Sequence, residues 1–63
     1  MIAPSDDVVL ATVARLGRAT VWELVQEFGL AMWRIEARLR ALAARGVVVV
    51  EVGADGVRRW RLA

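Results

Sequence analysis

The 63-residue chain has no cysteine, histidine, lysine, tyrosine or asparagine, and its only proline is Pro4. Without cysteine there is no disulfide staple and no thiolate metal site. With histidine missing too, the usual zinc chemistry is excluded. A catalytic centre would rest on Asp, Glu, Arg, Ser5, Thr12 and Thr20, none of them a general base poised near neutral pH. The expectation is a protein that is not an enzyme, with no catalytic residues, no cofactor and no metal. Long hydrophobic runs are absent as well: residues 47–50 are all valine, a strand's worth, far short of the roughly 18 residues of a membrane span. Met1-Ile2-Ala3-Pro4 has neither the basic start nor the cleavage pattern of a signal peptide. The expected location is the cytoplasm, with no membrane partner.

What is present is apolar and rich in arginine. The chain is 59% hydrophobic, more than a domain this small can bury, because surface dominates volume at this size. The excess is expected on the surface, where sizeable apolar patches mark partners. Net charge is +2, but its distribution says more. Residues 1–30 carry a balance of −2 and residues 31–63 a balance of +4, the latter from seven arginines against Glu36, Glu51 and Asp55. A basic C-terminal half is the footprint of nucleic-acid binding. The plainer explanation is arginine that keeps a greasy surface soluble.

The pattern along the chain predicts five elements in one domain, residues 1–63. Ser5 is a good N-cap, Asp6 and Asp7 suit the first turn of a helix, and Leu10, Val13, Ala14 and Gly17 recur at helical spacing, with Val9 and Leu16 widening the stripe. This predicts a helix over about 5–16. Thr20 and Glu23 form a capping box for a second helix over about 21–28, through Leu24, Val25 and Phe28 to Gly29. Leu30 follows at once, so a third helix over about 31–45 starts after a very short turn, as in a helix-turn-helix. Its Ile35, Leu39 and Leu42 lie on one side at about 100° per residue. The opposite side holds Trp33, Ala37, Arg40, Ala41 and Ala44, flanked by Arg34 and Glu36. Strand-like runs over about 47–52 and 57–62 are joined by Gly53-Ala54-Asp55-Gly56, a hairpin turn. The expected core is Leu10, Val13, Leu24, Phe28, Ile35, Leu39, Leu42, Val48, Trp60 and Leu62. Val47 and Val49 then fall on the outer strand face, opposite Val48 and Val50.

Three helices followed by a basic hairpin resemble a winged helix-turn-helix domain, similar to small bacterial repressors of the arsenic-repressor and antibiotic-resistance-repressor type. The resemblance covers about Val9 to Leu62. It is carried by Arg18-Ala19-Thr20-Val21-Trp22-Glu23-Leu24, by Phe28-Gly29-Leu30, by Ile35, Leu39, Leu42, Gly46, Val47 and Val48, and by Gly56 with Arg59-Trp60-Arg61-Leu62. It implies an α+β fold whose third helix enters a DNA major groove while the 52–59 wing grips the backbone. The DNA-binding residues it implies are Trp33, Arg34, Ala37, Arg40, Arg58 and Arg59. Arginine forks onto phosphate or guanine edges, whereas Arg38 and Arg45, nearer the core side, are expected to be structural. The implied partners are double-stranded DNA and a second copy of the chain, as a homodimer regulating transcription. Candidate dimer surfaces are Val8, Val9 or Thr12 on the first helix and Val47 and Val49 on the hairpin.

The departures from that pattern point elsewhere. Ala31 stands where family members place a polar cap, and Ala37, Ala41 and Ala44 cannot hydrogen-bond a base edge. Trp33, exposed beside small residues, resembles a protein hot spot, unless it folds down against the second helix. The alternative function is a winged-helix module for protein–protein contact, using Trp33 and the alanine face.

Overall fold

The computed structural model describes residues 4–63. Residues 1–3, the start of the segment read above as lacking a signal-peptide pattern, lie outside them. Three helices, α1 (Asp6–Leu16), α2 (Val21–Phe28) and α3 (Met32–Ala44), precede two strands, β1 (Val48–Val52) and β2 (Arg58–Leu62). The strands form an antiparallel hairpin. The result is a small α+β fold in a winged-helix-like arrangement.

Local chemistry fixes most boundaries. Ser5 accepts a hydrogen bond from the Val8 N–H at 3.3 Å and starts α1. The capping box at α2 is complete: the Glu23 N–H donates to Thr20 Oγ1 at 3.2 Å, and the Thr20 N–H donates to Glu23 Oε1 at 2.9 Å. Ala31 caps α3 with no side-chain hydrogen bond, which forgoes about 1 kcal/mol relative to a polar cap. At the other end of α3, Gly46 adopts φ +77°. The Val47 N–H then reaches the Leu42 carbonyl at 3.1 Å and the Gly46 N–H reaches Ala43 at 3.0 Å. This doubly bonded stop needs a left-handed residue, so glycine there turns the chain out of α3 and into β1.

The core is Val9, Val13, Ala19, Leu24, Ile35, Leu39, Leu42, Val48 and Trp60. Leu10 and Phe28, expected inside, are half-buried and pack against it. Leu62 departs from the expectation, with 39% of its surface exposed. It pairs with Val48 in register, but the helices cover Val48 and leave the strand's end open. Val50, opposite the buried Trp60, is likewise 42% exposed although it was expected to face inward. Val47 and Val49 are half-buried rather than free on the outer face. On α1, Val9 and Thr12 are buried, so neither is available as a dimer surface. The Thr12 hydroxyl is satisfied within its own helix, donating to the Val8 carbonyl at 2.9 Å.

One pairing lies outside the five elements. Ala19 and Trp60 exchange backbone hydrogen bonds at 2.7 and 2.8 Å, so the link between α1 and α2 joins the edge of β2. This contact ties the hairpin to the helices in the middle of β2.

Candidate nucleic-acid interface

The buried side of α3 (Ile35, Leu39, Leu42) sets what its other side presents. Trp33, Arg34, Ala37, Arg40, Ala41 and Ala44 are all exposed. Trp33 stands 68% exposed, so it does not fold down against α2. The Arg34 guanidinium sits 5.3 Å from the centroid of its ring, a cation–π contact worth about 0.5–1 kcal/mol at an exposed site. The two side chains together present a cationic and aromatic patch at the start of α3.

Internal ion pairs sort the arginines. Arg38 donates to the Pro4 carbonyl at 2.7 Å and to Asp6 at 3.1 Å, and Arg45 reaches the same Asp6 carboxylate at 3.3 Å. Seven residues apart, the two lie above one another on a helix, so a single acid at the start of α1 holds both. Their expected structural role is what the geometry gives. Arg15 pairs with Glu27, and Arg61 at 3.0 Å and Arg18 at 3.6 Å share Glu51. Arg34, Arg40 and Arg58 have no carboxylate partner among the described residues.

At the hairpin tip the two neighbouring arginines behave differently. Arg58 is exposed and unpaired among the described residues. Arg59 forks onto Asp55, at 3.2 Å to Oδ1 and 2.9 Å to Oδ2. Asp55 also accepts the Val57 N–H at 3.0 Å across the turn. The Arg59 hydrogen bonds, helped by that backbone N–H, bring the Asp55 carboxyl down from 3.8 to about 2, and Asp55 in turn raises the Arg59 guanidinium above its ordinary value. The chain closes on this pair at Gly53, where an added Cβ would stand 2.8 Å from Asp55 Oδ1 and 2.9 Å from Arg59 Nη1.

Beside α3 lies an apolar concavity of about 390 Å³, lined by Trp33, Ala37 and Ala41 with Val9, Leu30 and Pro4, and edged by Arg34 and Arg38. Trp22 is a further exposed aromatic, at 65%, that the sequence reading did not single out. Its signal was there: at helical spacing, position 22 lies opposite Leu24, inside the Thr20–Glu23 capping box. No family model, curated protein or solved structure matches this chain. No helix among the described residues is long and apolar enough to cross a membrane.

Proposed function

We propose that this chain is a DNA-binding protein, a small transcriptional regulator of the winged-helix kind, with α3 in the major groove and the hairpin tip on the phosphate backbone. The observation that carries this reading is the sorting of the arginines. Arg15, Arg18, Arg38, Arg45, Arg59 and Arg61 each pair with a carboxylate, Asp6 and Glu51 serving two arginines apiece, while Arg34, Arg40 and Arg58 are left without one among the described residues, on the outer side of α3 and at the hairpin tip. Unneutralised cations on a recognition helix and wing are what a polyanion attracts. Trp33 and Ala37 lie on the same outward side of α3 and belong to the proposed contact surface. Arg59 joins it only on leaving Asp55. The proposal is a binding protein rather than an enzyme, acting as a homodimer, because one module of this size covers too little DNA for tight specific recognition.

Gel shifts with random duplex DNA over a salt series test it. Binding should weaken steeply as salt rises, and an absence of binding to any duplex at about 50 mM salt removes the reading. The concavity beside Trp33 and Ala37 supports a second reading, a protein partner seated on the same face of α3. Salt-insensitive capture of a protein, with no affinity for DNA, is its signature.

A further inference from the structure

We infer that the outer margin of β1 docks a second copy of this chain, strand to strand and antiparallel, about a two-fold axis at Glu51. This specifies the homodimer of the reading above, but its argument rests on the hairpin and not on DNA. In an antiparallel pair, backbone direction alternates: one residue bonds the partner strand and the next points away. The Gly53 N–H donates to the Val57 carbonyl at 3.0 Å, and the Ala63 N–H to the Val47 carbonyl at 3.2 Å. By that alternation Val49 and Glu51 also face β2, and Val48, Val50 and Val52 turn their backbone groups outward. The other strand keeps the same rhythm, since Trp60, opposite Val50, turns outward and bonds Ala19. On the β1 margin, no backbone group among the described residues bonds Val48, Val50 or Val52 from outside.

Of these three, Val48 is enclosed, whereas Val50 and Val52 are exposed. Only one symmetric register uses both exposed residues. An axis at Val50 would send Val52 to the enclosed Val48, and an axis at Val52 would set Val50 against Ala54, in the turn. With the axis at Glu51, Val50 of each copy meets Val52 of the other, and each such pair exchanges two backbone hydrogen bonds. The same register lays exposed valine beside exposed valine on one face, so backbone and side chains agree on it. On the opposite face Glu51 meets Glu51, an apposition that two bare carboxylates would resist. These are not bare: Arg61 at 3.0 Å and Arg18 at 3.6 Å both hold Glu51 Oε1, so the seam carries two carboxylates among four guanidiniums. The joined strands are short, and the contact falls below the roughly 1,200 Å² of a standard interface. The dimer is therefore a weak one, best caught by a covalent trap.

The chain has no cysteine, so a single introduced thiol reports only on meeting its own copy. Glu51→Cys and Trp33→Cys chains are held in a glutathione redox buffer and followed on non-reducing gels, with circular dichroism to verify folding. Directly opposed residues of this kind lie about 4.5 Å apart between Cα atoms, within the roughly 4.4–6.8 Å that a disulfide spans. Trp33, exposed on α3, gives the rate of random encounter. Glu51→Cys should become dimeric well before Trp33→Cys does. Val52→Pro removes an outward N–H and leaves the β1–β2 bonds in place; added to Glu51→Cys it should abolish that lead. In the otherwise wild-type chain, sedimentation equilibrium should show the dimer lost on Val52→Pro. Equal cross-linking rates, a faster Trp33→Cys, or a dimer that survives Val52→Pro each overturn the docking. No DNA is present, so these outcomes are separate from the gel shifts that test the DNA-binding reading.

Discussion

Leu39 is fully enclosed at the centre of α3, and its truncation to alanine removes buried methyl groups and leaves a cavity. The expected cost is about 2–5 kcal/mol, read as a lower midpoint in a circular dichroism melt; an unchanged melt means that the core is not where it has been drawn. The arginines give a prediction of another kind. Arg34→Ala, Arg40→Ala and Arg58→Ala should each lower DNA affinity, and where a phosphate contact is lost the salt slope should fall by about one. Arg59→Ala should do much less, since Asp55 already occupies that guanidinium. Equal effects of Arg58→Ala and Arg59→Ala in matched salt titrations would show that the pairing does not govern binding. Spacing put Trp33 on the side of α3 away from Leu39, because a 3.6-residue period resolves faces on a helix of this length, but only the structure showed that Trp33 does not fold down against α2. Spacing could not tell Arg58 from Arg59, whose difference depends on a turn bringing Asp55 back within reach. Nor did it expose Leu62, since alternation along a strand says which side a residue faces but not whether anything covers that side.

The elements were legible wherever a cap marked them. Ser5, Thr20 with Glu23, Gly29, Gly46 and the Asp55-Gly56 turn each name their boundary by side-chain chemistry or positive φ. The Ala19–Trp60 pairing was not legible, because one residue of pairing has no period to detect. Within the hairpin, Asp55 makes a prediction about pH. Its carboxyl is depressed to about 2 in the folded chain against 3.8 ordinarily, so the pair's contribution is fully present above about pH 3.8. It is lost as pH falls through about 2. A ¹³C NMR titration of the Asp55 carboxyl should find the low midpoint; one at the ordinary value means that the fork is not formed in solution. Asp55→Asn removes the counter-charge and frees Arg59. It should therefore tighten binding to all duplexes alike and steepen the salt slope by about one. Weaker binding by that variant would mean that the wing needs the Asp55 turn more than it needs the cation.

The whole molecule measures 36 × 22 × 20 Å and wears much of its hydrophobic composition outside, at Val8, Trp22, Trp33, Val50 and Val52. Self-association should follow. Of the surfaces weighed from the sequence, Val9 and Thr12 are buried and Val47 and Val49 half-buried, which leaves Val8, and the structure adds the exposed hairpin valines Val50 and Val52. Sedimentation equilibrium should find a dimer that Val50→Glu weakens and Trp33→Ala leaves intact. A dimer broken by Trp33→Ala alone would give the α3 face to protein contact, and a monomer at every concentration removes the homodimer. The hairpin also has a lopsidedness of its own. β2 is paired on both sides, with β1 and with Ala19, whereas β1 has only β2 among the described residues. The outer margin of β1 therefore offers unpaired backbone groups along a valine-rich stretch whose only charge over residues 47–52 is Glu51. Such a margin is a template for another strand, and a six-residue segment of high β-propensity and low charge can stack into a fibril. Glu51 should therefore act as a gatekeeper on this margin: on prolonged incubation, Glu51→Val is expected to become thioflavin-positive while the wild type stays clear.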